Sequence, residues 1–130
     1  MSALAGDALA SEHAALPARA VPADRFPEPA AHLAREDPDY VNARIPLSAL
    51  SFGEGKELTV KYREMVIIGI LAFRGLQSGV VAHMRRAIEH GATKRELLEA
   101  IQSAAVPGGG PTLSTGVQAL MELDRAGAFK

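Results

Sequence analysis

Two ionisable residues, Glu64 and His83, stand where helical spacing calls for apolar ones. In the run VKYREMVIIGILAF, Glu64 follows Val60 by four residues and precedes Ile67, Ile68 and Leu71 by three, four and seven. Those offsets share one face of a helix. In the next run His83 keeps the same company with Leu76, Gly79, Val80 and Ala87, at the edge of an apolar arc through Met84 and Ile88. A carboxylate buried alone is costly, so it either takes up a proton or acquires a counter-group. An imidazole on the adjoining helix is a natural counter-group, and such a pair holds a proton near neutral pH, as general acid–base chemistry requires. Structural roles stay open beside this one. Glu64 also suits a carboxylate that caps a neighbouring helix or pairs with Arg63, Arg74 or a second subunit. His83 also suits a satisfied core histidine.

Two helices must position the pair. The first is expected from Leu58 or Thr59 to Phe73, apolar on most sides after Glu64 and therefore central and buried. Gly69 marks a close helix approach, and Gly75 ends the helix in the left-handed region. The second runs from Gln77 or Ser78 to His90, with Arg85, Arg86 and Glu89 on its solvated side. Gly91 closes it, and Thr93 with Glu96 forms a capping box for a third helix reaching about Val106. Its buried face is Leu97, Leu98, Ile101, Ala104 and Ala105. Pro107-Gly108-Gly109-Gly110-Pro111 reads as a flexible break, a hinge or tight packing point whose following helix N-terminus can also receive an anionic carboxylate. The last helix, Thr112 to Arg125, turns Leu113, Val117, Leu120 and Met121 inward, and Gly127 stops it.

The order and spacing of these pieces resemble the carboxymuconolactone decarboxylase and AhpD-like superfamily. The matching pieces are Arg63-Glu64 opening a long apolar helix, His83-x-x-x-Ala87, Gly91-Ala92-Thr93 with Glu96, and Gly110-Pro111 opening the last helix. The resemblance spans about Leu58 to Leu123. It implies an all-α, AhpD-like helical bundle assembled as a dimer, trimer or hexamer, with the site near a subunit contact. In the AhpD-like branch two cysteines precede the histidine by seven and four positions. Those positions hold Leu76 and Gly79 here, and the chain has no cysteine. Thiol–disulfide chemistry is therefore excluded. That branch's relay glutamate and histidine map onto Glu64 and His83, while Ser78 replaces its middle histidine and is assigned to substrate binding. Cysteine-free members resemble the lactone decarboxylase branch, which uses no metal or organic cofactor.

Composition agrees with helix-on-helix packing. The chain has 130 residues, abundant Ala, Leu, Ile and Val, few aromatics and no Trp, which suits one small domain without a sheet core. A net charge of −1 with interspersed signs leaves no nucleic-acid footprint. The longest apolar run, Met65 to Phe73, is nine residues, well short of the ~20 needed to span a membrane. His83 and His90 lie seven apart, about 10 Å of helix rise, too far to share a metal ion. The absence of Cys fits a cytoplasmic location.

Residues 1–29 read as an Ala/Pro-rich extension, with a short helix possible at Ser11 to Leu16 before the prolines interrupt it. Residues 30–130 form the helical domain. Pro29 to Glu36 is a first short helix. Asp37 caps a second through Ala43, Pro46 breaks it, and Ser48 to Phe52 is a turn at most. A core this small, with small apolar side chains, is marginal alone, so a homo-oligomer is expected. The expected function is a cofactor-free acid–base enzyme acting on a small organic acid or lactone, by decarboxylation or isomerisation. The alternatives are a thiol-free relative of the hydroperoxide reductases and a non-catalytic oligomeric module that binds a small molecule or protein partner.

Overall fold

Capping chemistry sets the helix boundaries in the computed structural model, which describes residues 27–130. The expected helix at Ser11 to Leu16, and most of the extension, lie outside the described residues. Among those described there are six helices and no strand, the all-α class expected. They fall into two units, one ending at Gly53 and one spanning Glu54–Lys130.

The first unit contains α1 (Pro27–Glu36) and α2 (Pro38–Phe52). Asp37 caps α2 as expected, its Oδ1 accepting from the Tyr40 N–H at 3.0 Å. The expected break at Pro46 does not occur, because α2 runs through it. A proline already has helical φ, so it forfeits one hydrogen bond, here to the Asn42 carbonyl, without ending the run. α2 buries no residue and leaves Tyr40, Leu47 and Leu50 exposed.

The second unit packs α3 (Val60–Phe73), α4 (Gln77–Glu89), α5 (Lys94–Gly108) and α6 (Gly110–Arg125) around one core. α3 starts at Val60, whose N–H is taken by the Glu54 carboxylate at 3.3 Å, while the Thr59 side chain makes no cap bond. Gly75, at φ +70°, turns α3 into α4. The Gly75 and Leu76 N–H groups donate to the Ala72 and Leu71 carbonyls, both at 3.0 Å, the paired bonds of a Schellman stop. The Thr93–Glu96 capping box forms in both directions, at 3.1 and 2.8 Å. Lys61 of α3 reaches the same Glu96 at 2.8 Å, so the starts of α3 and α5 are tied together.

The five-residue break expected at Pro107–Pro111 is a single residue. α5 continues through Pro107 to Gly108, and α6 begins at Gly110 with Pro111 in its first turn. Only Gly109, at φ +87°, leaves helical conformation, and a side chain there would be strained. The segment is a tight packing point: a Cβ on Gly108 would meet Thr112 Oγ1 at 2.4 Å.

Ile68, Met84, Leu97, Ile101 and Leu123 are fully buried, each contributing about 1.5–3 kcal/mol by transfer from water. Gly69 makes the close approach expected of it, with its Cβ position 3.2 Å from Ala104 Cβ. Gly116 on α6 is tighter still. A Cβ there would lie 2.5 Å from Ile101 Cγ2. The inward face of α6 differs from expectation: Thr112, Gly116, Ala119, Leu120 and Leu123 are buried, while Leu113 and Met121 are exposed. Close contact at Gly116 and Ala119 rotates the larger residues outward. Nor is α3 buried on most sides. Tyr62, Val66, Ile70 and Phe73 form an exposed apolar strip along it.

Candidate functional site

The α3–α4 hairpin fixes the height of every group in the site. Glu64 lies eleven residues before Gly75 and Arg86 eleven after it. At 1.5 Å per residue, both stand about 16 Å from the turn. His83 lies three residues before Arg86 and shares its face of α4.

The side chains meet accordingly. Glu64 is 0% exposed in the second turn of α3. His83 Nδ1 lies 2.6 Å from Glu64 Oε2, and the Arg86 guanidinium donates through Nη1 to Oε1. One carboxylate oxygen thus serves each partner. An ionised carboxylate only accepts hydrogen bonds, so Nδ1–H is the donor. That tautomer leaves Nε2 as the basic nitrogen of a neutral imidazole.

Burial alone pushes the Glu64 carboxyl upward. The hydrogen bond and charge of His83, followed by the charge and hydrogen bond of Arg86, outweigh it and hold the group below its ordinary 4.5. The buried group is therefore an anion at neutral pH.

Sequence reasoning named Glu64 and His83, and the structure brings them together. Among the described residues the partners of Glu64 are His83 and Arg86, in place of Arg63 or Arg74. Arg86, expected on the solvated side with Arg85 and Glu89, turns inward, while those two are exposed. Its spacing from His83 and the hairpin arithmetic carried the signal. Ser78 is not brought to the pair. It is exposed in the first turn of α4, five residues before His83 and about 140° away around the helix. Beside Gly79 the space is filled by Leu71 of α3, whose Cδ1 lies 3.2 Å from the Gly79 Cβ position.

Two hollows lie elsewhere on this unit. One, of about 500 Å³, runs between α3 and α5 and is walled by Met65, Val66, Ile70, Phe73 and Pro107 over a floor of Gly69, Ala100 and Ala104. The other, of about 230 Å³, lies between α4 and α6 against Gln77, Gln118 and Glu122. Neither is lined by Glu64 or His83. Among the described residues no group of three or more His, Asp or Glu side chains is placed to hold a metal ion. No helix described is long and apolar enough to cross a membrane.

The all-α bundle agrees with the comparisons to known proteins. The family model for carboxymuconolactone decarboxylases matches residues 38–122, and the chain belongs to that family. Two solved structures share the fold. One is a candidate carboxymuconolactone decarboxylase from Burkholderia xenovorans LB400, with 25% identity, 79% of this chain and 83% of that chain covered, and a TM-score of 0.66. The other is a carboxymuconolactone decarboxylase family protein from Legionella pneumophila in its apo form, with 22% identity, 78% and 90% covered, and a TM-score of 0.67. Among curated proteins, none matches the chain significantly.

Proposed function

We propose that the protein is a cofactor-free acid–base enzyme acting on a small organic acid or lactone, with His83 carrying the proton and Glu64 orienting it. The observation that carries this reading is the buried Glu64 carboxylate held 2.6 Å from His83 Nδ1. Family membership supports the substrate class.

In a decarboxylation, the carbon–carboxylate bond breaks, CO2 leaves, and the bonding electron pair moves into the adjoining carbonyl to give an enolate. His83, protonated beforehand, then delivers its Nε2 proton to that carbon and is left neutral. In an isomerisation, neutral Nε2 removes a proton beside the carbonyl and returns it at another carbon. Glu64 stays ionised and stabilises the imidazolium in both. Positioned acid–base catalysis supplies roughly 10²–10⁴-fold, so electrostatics around the enolate oxygen must supply the remainder. Ser78 enters as a contact at the outer end of a longer substrate, since it lies round the helix from the pair.

The reading includes a homo-oligomer in the cytoplasm. The exposed strip of Tyr62, Val66, Ile70 and Phe73 supports assembly, because apolar faces of this kind mark interaction surfaces. The alternative of a thiol-free peroxidase relative lacks a nucleophile, since there is no cysteine. A non-catalytic oligomeric module is the second reading, and it draws on the two hollows, neither of which is lined by His83.

The test is a thermal-shift screen of wild type and His83→Ala against small organic acids and lactones, with turnover measured on each hit. A ligand bound and turned over by wild type, and not turned over by the variant, supports the enzyme. Equal turnover by a folded His83→Ala protein removes it, and binding without turnover favours the module.

A further inference from the structure

The geometry points to Arg86 as the positioning residue of this site: its guanidinium occupies one oxygen of Glu64, so that the other is presented to His83 Nδ1 in a single orientation and the carboxylate takes no share of the travelling proton. This rests on the proton-carrying role proposed above for His83, and it decides between the two parts Glu64 can play. A carboxylate beside an imidazole either orients the ring or exchanges protons with it. Which one holds depends on what else the carboxylate binds.

Both oxygens of Glu64 are engaged, by partners from the same helix. Oε2 meets His83 Nδ1 at 2.6 Å and Oε1 meets Arg86 Nη1. The carboxylate is 0% exposed, so water does not compete for either oxygen. Arg86 is itself largely covered, its side chain 22% exposed. A carboxylate with one partner can rotate about its last bond and swap oxygens. With two partners three residues apart on a helix, rotation would break both contacts at once. Arginine suits the task because its planar guanidinium fixes direction, stays protonated and cannot accept a proton. Among the described residues no ion pair joins Glu64 to α5 or α6. Glu96 of α5 is held by Lys61, one turn before Glu64, and among the described residues the hydrogen-bond and ion-pair partners of Glu64 both come from α4. The suppression of carboxyl protonation at Glu64 agrees with this arrangement.

Nuclear magnetic resonance without substrate tests the assignment, using ¹³C/¹⁵N-labelled wild type, Arg86→Met and Arg86→Lys. Long-range ¹H–¹⁵N correlations read which ring nitrogen of His83 carries the proton, and the Nδ1–H proton resonance reads how firmly it is held. The Glu64 carboxyl ¹³C shift reads its titration. Wild type shows one tautomer, with the proton on Nδ1. Arg86→Met keeps the Nδ1–H tautomer, because an ionised Glu64 still only accepts, but it moves the Glu64 midpoint upward and broadens the His83 Nδ1–H proton resonance by exchange. Arg86→Lys restores the charge but not the fork, so the Glu64 midpoint returns while that resonance stays broad. A folded Arg86→Met protein with both signals unchanged overturns the assignment. If that variant does not fold, the lysine variant decides, and an Nδ1–H resonance as sharp there as in wild type overturns it.

The outcome separates from that of the enzyme reading. Signals that move as expected in a protein that turns over no organic acid or lactone leave Arg86 assigned and the acid–base function rejected. Where wild type is active, Arg86→Lys lowers kcat and leaves KM unchanged. An unchanged kcat overturns the positioning role even with the enzyme reading intact.

Discussion

The inner and outer faces of α3 contradict the ordinary rule in opposite directions. Inside, one turn above Ile68, an ionised Glu64 is fully buried. Outside, Val66, Ile70 and Phe73 stand more than half exposed. Buried polar groups and exposed apolar patches are the informative departures from average burial. The inner anomaly is offset within the chain by two hydrogen-bonding partners, an imidazole and a guanidinium. The outer one has no counterpart among the described residues, and assembly is the proposed answer. One helix therefore carries a charge compensated locally and an apolar strip for which association is proposed.

The largest expected effect breaks the inner side. His83→Ala should lower turnover by roughly 10²–10⁴-fold while circular dichroism and oligomer size stay as in wild type. Next, two isoleucines two residues apart sharpen the contrast. Ile68 is 0% exposed and Ile70 56%. Ile68→Ala should cost about 2–5 kcal/mol in urea unfolding. Ile70→Ala should change the stability of the isolated chain by no more than about 0.5 kcal/mol, and should instead raise the concentration needed for assembly in sedimentation. Equal costs at the two positions would erase the distinction between the faces.

Acid titration ranks third. Because the folded state holds the Glu64 carboxyl below its ordinary 4.5, the unfolded state binds more protons in that range. The stability Glu64 contributes is present above 4.5 and is lost as pH falls from there through the folded value. Glu64→Gln should therefore flatten the acid limb of the urea midpoint against pH. Glu96 is shifted the same way by Lys61 and should leave a smaller residual slope in that variant. The smallest effect is at a cap. Thr93→Ala should cost about 1 kcal/mol, read as faster amide exchange in the first turn of α5.

Much of this was legible beforehand because it is local. Gly75, Thr93 and Glu96 act through neighbours within a turn, so their spacing predicts the helix ends. Glu64 stood out because a single charge interrupts an apolar stripe. What escaped depended on other elements. Arg86 looked solvated because its own helix offers it no partner, and only the hairpin height matches it to Glu64. Leu113 and Met121 looked inward because periodicity fixes an apolar arc without its rotation, which here is set by Gly116 against Ile101. Pro46 and Pro107 have the sequence signature of breaks, yet both sit inside helices, where a proline costs a bond without forbidding the path.

The Gly116–Ile101 contact has a bearing on how this chain can vary. With a Cβ at 116 placed 2.5, 2.8 and 3.0 Å from three Ile101 side-chain atoms, even alanine cannot enter unless residue 101 shrinks. In a library randomised at both positions, surviving clones should trade bulk between them: glycine opposite isoleucine, or a larger residue opposite alanine or glycine. The two sites should drift together or stay still.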